Sequence, residues 1–293
     1  LAKRSFACCV RPRHGLRVAV VTLPLVLAVA TGVCFVYGPS SAAAQQAGAG
    51  SETKNPGRAP LDPTTRRALA AKGAARMERF WQSIAEREPS PTMGVRRLFA
   101  YALLLCEARE HRERLTRLFE LGAEAQDRDP ESYGYGNFVW YWGHEEVTDG
   151  NAVEFCMQDA LRIWVDHRRW LPEEARSRLR EILEYAAHGC MRHRVPTWST
   201  NIAVLNAGNL LVLGQELGLS EVAETGAGRL NAVYAWTWQF GTFEYCSPTY
   251  YSVDIRGLLF IEHYCRGELQ KQQARALLEL FWTDVALNWF PQA

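Results

Sequence analysis

Residues 241–254 gather Phe243, Tyr245, Tyr250 and Tyr251 around Glu244, Cys246 and a Ser247-Pro248 corner. A connection that only has to turn draws on Gly, Asn, Asp and a few charges. Aromatic rings beside a carboxylate and hydroxyls suit a carbohydrate or small-molecule site instead. The other role open to such a stretch is a plug at the end of a helical core. Two more stretches share its character. One runs from His193 and Arg194 through Trp198 to Asn201, and the other from Tyr133 through Trp140 and Trp142 to His144.

Cleavage of a uronate polymer by β-elimination removes the proton next to a carboxylate and expels the glycosidic oxygen. It needs a group that neutralises the carboxylate, together with a base and an acid. His193, Arg194, Asn201 and Tyr245 or Tyr250 form such a set. Trp140, Trp142 and Trp198 offer faces that stack on sugar rings, while polar tips bond hydroxyls, and His144 stands beside them. Hydrolysis requires instead two carboxylates across the bond, for which Glu145, Glu146, Asp149, Glu244 and Asp254 are available. Each has a plainer role open to it: Asn201 as a helix N-cap, Glu244 and Asp254 as local caps or pairs. His144 with Glu145 and Glu146 is a poor metal site, because adjacent side chains diverge. No H-E-x-x-H, Walker or Rossmann pattern occurs, so neither a metal nor a nucleotide cofactor is expected.

These stretches are links between helices. Asp62-Pro63 supplies an N-cap and a first-turn proline for a helix over 62–87. Helical periodicity continues over 94–126, from Asn151 to about Arg169, and from Pro172 to about Arg192. It resumes over 201–218, 220–240, 252–266 and 268–289. The segment 201–218 is nearly all apolar, as for a helix buried around most of its circumference. No strand or hairpin signal competes. The breaks at 169–172, 218–220 and 266–267 are tight, whereas 129–150, 193–200 and 241–251 are long and aromatic. Two antiparallel helices separate each long link from the next, so all three are expected at one end of the helix layer. The fold expected is all-α, an α/α toroid: an incomplete barrel of antiparallel helical hairpins.

Among the remaining polar residues, His111 and His167 are expected on solvated faces. His188 and His263 are read as core or hairpin contacts, and Asn206 and Asn209 as bridges between helices. The chain has 293 residues and a net charge of +1, which disfavours nucleic acid as a partner. Five of its 33 basic residues lie in the first segment, leaving the rest mildly acidic against 32 acidic residues. A polyanionic ligand must then be met by locally placed Arg and His.

Residues 1–44 read as a targeting segment: basic residues, an apolar run over 18–37, then Ala42-Ala43-Ala44. It is either a cleaved secretory signal or an uncleaved anchor, and the membrane is a partner only in the second case. Both place the domain outside the cytosol, in the periplasm or the extracellular space. A flexible Gly, Ala, Ser and Pro linker over 45–61 precedes the domain at 62–293. Beyond the leader, Cys106, Cys156, Cys190, Cys246 and Cys265 are odd in number with no C-x-x-C spacing, so at least one thiol stays free.

Glu244 to Tyr250, Asn201-Ile202 at the head of an apolar helix, and Trp282 to Ala286 resemble a group of secreted proteins. These are similar to the α/α-toroid domains of heparinase II/III-like and alginate-lyase-like polysaccharide lyases. The resemblance spans about 137–290. It implies an acidic polysaccharide or oligosaccharide as substrate, with Asn201 at the uronate carboxylate and Tyr245 or Tyr250 in proton transfer. Such lyases usually continue into a β-sandwich, whereas the sequence here stops at Ala293, and no counterpart of their catalytic His is identified. These departures fit a chain truncated at its C-terminus or a scaffold with altered chemistry. A glycoside hydrolase and a non-catalytic carbohydrate-binding protein are the alternatives.

Overall fold

The Asp62 carboxylate accepts hydrogen bonds from the Thr64 and Thr65 backbone N–H groups at 3.0 Å, and Pro63 occupies the first turn. Helix α1 (Pro63–Arg76) therefore begins where the sequence places it. The structure, a computed structural model, describes residues 62–242 and 247–288, all within one compact unit. The leader, the linker, Phe243, Glu244, Tyr245, Cys246 and residues 289–293 lie outside the described residues.

After α1 come α2 (Glu78–Ile84), α3 (Arg96–Ala108), α4 (Arg114–Glu124) and α5 (Ala152–Arg162), which runs into a π-helical turn at Ile163–His167. Then follow α6 (Glu173–Arg192), α7 (Thr200–Leu217), α8 (Ser220–Phe240), α9 (Pro248–Tyr264) and α10 (Glu268–Leu287). The described residues contain no strand, only the isolated bridges Gly94–Tyr141 and Gln126–Phe138. The protein is all-α. No helix among the described residues is long and apolar enough to cross a membrane.

Two expected helices are broken. The first is interrupted at Met77. The second ends at Arg109, which with His111 adopts a left-handed backbone (φ 60° and 49°) although neither is glycine. Tertiary contacts hold that turn. Arg112 donates to the Leu171 carbonyl at 2.8 Å, Arg109 lies over the Trp170 ring, and Arg114 donates to Glu78 and the Tyr101 hydroxyl.

Consecutive helices from α3 onward pair as the hairpins α3/α4, α5/α6, α7/α8 and α9/α10. Helices α3, α5, α7 and α9 pack side by side in one row; α4 packs on α6 and α8 on α10 in another, and α1 covers α3. Helix α7 joins two apolar clusters. Leu210, Val212 and Leu213 face the larger one, while Ala203, Val204, Ala207 and Leu211 face the cluster built with α8, α9 and α10. That double duty explains its apolar circumference.

His167 is buried instead of solvated. The π-helical turn shifts the phase of the helix end, carrying a residue read on the outer face toward the core. Cys106, Cys156, Cys190 and Cys265 are buried free thiols, and burial pushes the Cys106 thiol up to about 12.

The first long link lies directly on α6. Gly136 has φ +81°, and a Cβ at Gly189 would sit 2.5 Å from the Gly136 carbonyl oxygen, where only backbone could yield. Gly189→Ala should destabilise the fold by about 1–3 kcal/mol, read from denaturant unfolding. A wild-type midpoint would contradict this close packing.

Candidate functional site

The residues expected at the rim occupy three environments. Trp140 is half-buried, donates from Nε1 to Asp149 at 2.8 Å, and packs on Phe155 of α5. Trp142 packs against the larger cluster, whereas His144, Arg194, Trp198 and Tyr250 are exposed. Asn201 is buried in the first turn of α7, where Ser199 is the N-cap. The first two long links do meet. Arg192 donates to the Pro130 and Ser132 carbonyls at 3.0 Å, and a Cβ on Gly150 would touch the His193 ring. Glu244 and Tyr245 fall outside the described residues.

His193 is anchored by a group the sequence reading did not single out. Its Nδ1 lies 3.1 Å from Oε1 of Glu154, a carboxylate with no solvent exposure on α5. Asn206 and Asn209 of α7 donate to the same carboxylate at 2.6 and 2.8 Å. Arg229 of α8 donates to the carbonyls of Cys190, Met191 and His193, and burial lowers its pKa against the pull of Glu154. The two asparagines bridge helices as expected, and do so around a charge. This network ties α5, α6, α7 and α8 to the second long link.

Gln158, one turn along α5 from Glu154, donates to Asn209 at 2.8 Å and lines a cavity of about 1330 Å³. The cavity lies among α1, α5, α9 and α10. Its wall carries Arg66, Arg162, Arg256 and Lys271, the rings of Tyr251, Phe260, Tyr264 and Trp282, and the carboxylates Glu262 and Asp284. The described rim residues named above are not on this wall. Large size, aromatic lining and a few convergent polar groups are the attributes of a ligand site.

Several wall groups are fixed from behind. Arg256 donates to Asp159 at 2.6 Å; Arg66 donates to Glu107, which lies 3.6 Å from Arg162. The Tyr264 hydroxyl donates to Asp166 at 2.6 Å, and burial, reinforced by that carboxylate, raises its pKa. The Tyr251 hydroxyl donates to Asp284 and lies 3.1 Å from the Thr242 hydroxyl. Burial lowers the Arg256 pKa; Asp159 opposes the shift, and the neighbouring Arg96 and Arg162 charges add to it. Among the described residues, no group of three or more His, Cys, Asp or Glu side chains is placed to hold a metal.

Gln158 and Arg162 follow Glu154 at four and eight residues, a polar stripe along one face of an apolar helix. That spacing is the one signal in the sequence that could have pointed to this wall.

The chain belongs to the family described as a domain of unknown function (DUF8769), whose model matches residues 95–293. Comparison with curated proteins and with solved structures found no match. The family match takes in the whole cavity wall except Arg66.

Arg66 nevertheless matters to its acid behaviour. Burial alone would raise the Glu107 pKa, but the His167 ring and the Arg66 guanidinium together bring it down to about 2 from the ordinary 4.5. A depressed carboxylate contributes stability above its unfolded pKa, and that contribution is lost as pH falls from about 4.5 toward 2. Glu107→Gln should be less stable than wild type at neutral pH, and the gap should close across this window. Denaturant unfolding against pH reads the effect; a gap that stays constant would contradict the assignment.

Proposed function

We propose that this member of the family is an exported carbohydrate-active protein, a polysaccharide lyase-like enzyme. It binds an acidic, uronate-bearing polysaccharide in the cavity among α1, α5, α9 and α10 and cleaves it by β-elimination. One observation carries the reading: a single wall combines four cationic side chains with four aromatic rings. Aromatic faces suit the apolar faces of sugar rings. The cations suit a carboxylate that must be neutralised as charge develops on the adjacent carbon.

The serial packing of hairpins supports an incomplete α/α toroid as the scaffold. So does the approach of α1 to α9, since Arg66 and Tyr264 line the same cavity. Export is carried by the segment over 1–44, whether cleaved or retained as an anchor.

In the reaction, the proton beside the carboxylate passes to a base. The carbon–oxygen bond breaks, a ring double bond forms, and the leaving oxygen takes up a proton. Of the two tyrosine hydroxyls on the cavity wall, we assign the proton steps to Tyr251, with Asp284 orienting it. It stands next in sequence to Tyr250, whose exposed side chain is not on that wall.

Incubation with uronate polymers should produce ultraviolet absorbance from unsaturated ends, with none from neutral glucans. Tyr251→Phe should lower the rate at least about 100-fold. New reducing ends without absorbance would indicate hydrolysis, and binding without either product a carbohydrate-binding protein; each overturns the lyase reading.

A further inference from the structure

The cavity wall has an ordering of charge that its composition does not convey. Arg256, Arg162 and Arg66 come from three helices, and the carboxylates beside them are Asp159 and Glu107. The guanidinium side chains are 37%, 32% and 52% exposed, the carboxylate side chains only 7% and 12%. At these three arginines a ligand meets N–H donors first, with Asp159 and Glu107 behind them. The other two wall carboxylates, Glu262 and Asp284, are engaged by Arg275 and Tyr251. Each carboxylate engages part of a rigid five-donor fork and leaves donors on the same guanidinium for a second anion. Arg256 uses Nη2 for Asp159. The neighbouring Arg96 and Arg162 add positive charge around it.

We propose that Arg66, Arg162 and Arg256 form a guanidinium rail that grips two or more anionic groups of one acidic oligosaccharide, with Glu107 and Asp159 as its positioning residues. This deepens the reading of the cavity given above and rests on it. Recognition here depends on orientation as well as net charge, because a flexible arginine would lose side-chain entropy on binding and a held one loses less. The rail also selects for multivalency. A second anionic group on the same chain binds at a high effective concentration once the first is seated.

The two carboxylates make the proposal testable in an unusual direction. Asp159→Asn removes a negative charge beside the cavity, which simple electrostatics would reward with tighter polyanion binding. The rail requires the opposite, because Arg256 is released from its position. Calorimetric titration of the full chain with a hexameric oligouronate should show Asp159→Asn binding several-fold more weakly than wild type. Arg256→Lys keeps the charge but loses the fork, and should lose about tenfold in affinity. A monomeric uronate should bind at least about 100-fold more weakly than the hexamer.

A sulfated oligomer of the same length distinguishes carboxylate from sulfate as the gripped group, and neutral cellohexaose should not bind. Thermal melting of both variants checks that the fold is retained. If Asp159→Asn unfolds, Arg256→Lys alone decides. Equal or tighter binding by a folded Asp159→Asn, unchanged binding by Arg256→Lys, or wild-type failure to bind either acidic oligomer would overturn the rail. Unsaturated products with undiminished Arg256→Lys binding would leave the proposed activity standing and remove the rail. Binding as described with no product would do the reverse.

Discussion

A carboxylate taken out of water must be met by donors or counter-charges, and this constraint fixes how the inner helices sit. Glu154 and Asp159, both on α5, and Glu107, at the end of α3, are all largely or wholly shielded. Each is met differently. Glu154 receives two asparagine amides and His193, Asp159 receives Arg256, and Glu107 lies among Arg66, Arg162 and His167. These contacts set α5 against α7 and α9, and α1 against α3 and the end of α5. Removing one partner of a buried pair costs about 3–5 kcal/mol, yet an apolar pair of similar volume is often as stable. Stability alone therefore does not account for three such carboxylates in one small fold.

Their placement accounts for them better. Asp159 and Glu107 stand directly behind arginines of the cavity wall, and Asp166 and Asp284 hold the hydroxyls of Tyr264 and Tyr251. The wall is thus a set of donors with prescribed orientation. Glu154 does the same for His193 near the junction of the first two long links. Gln158, buried, bonded to Asn209 and lining the cavity, joins the two regions along one face of α5. Preorganisation of this kind lowers the entropy lost when a ligand is held.

The helical nature of the chain was legible from periodicity, from the Asp62-Pro63 start and from the tight turns within the hairpins. The interruption at 109–113 was not, because no Gly or Pro marks it and Arg109 and His111 are held left-handed by contacts from distant segments. The burial of His167 is not legible because a π-helical turn has no plain sequence signature. The cavity wall was hidden for a related reason. Arg162 and Arg256 look like ordinary surface cations until α5 and α9 are seen to face a common space. The aromatic links stand out because their composition is unusual, whereas the wall is assembled from residues of common type on helices far apart in sequence. Glu154 showed least of all, since an acidic residue in the first turn of a helix is already explained by the helix dipole.

The most direct test is a crystal structure of the chain with an acidic uronate oligosaccharide bound. Successive carboxylates of the ligand should lie within hydrogen-bond reach of Arg256 and Arg162, with a sugar ring against Tyr251 or Trp282. An oligosaccharide seated on Trp198 and His144 at the long links, with the guanidiniums still facing empty space, would contradict this placement.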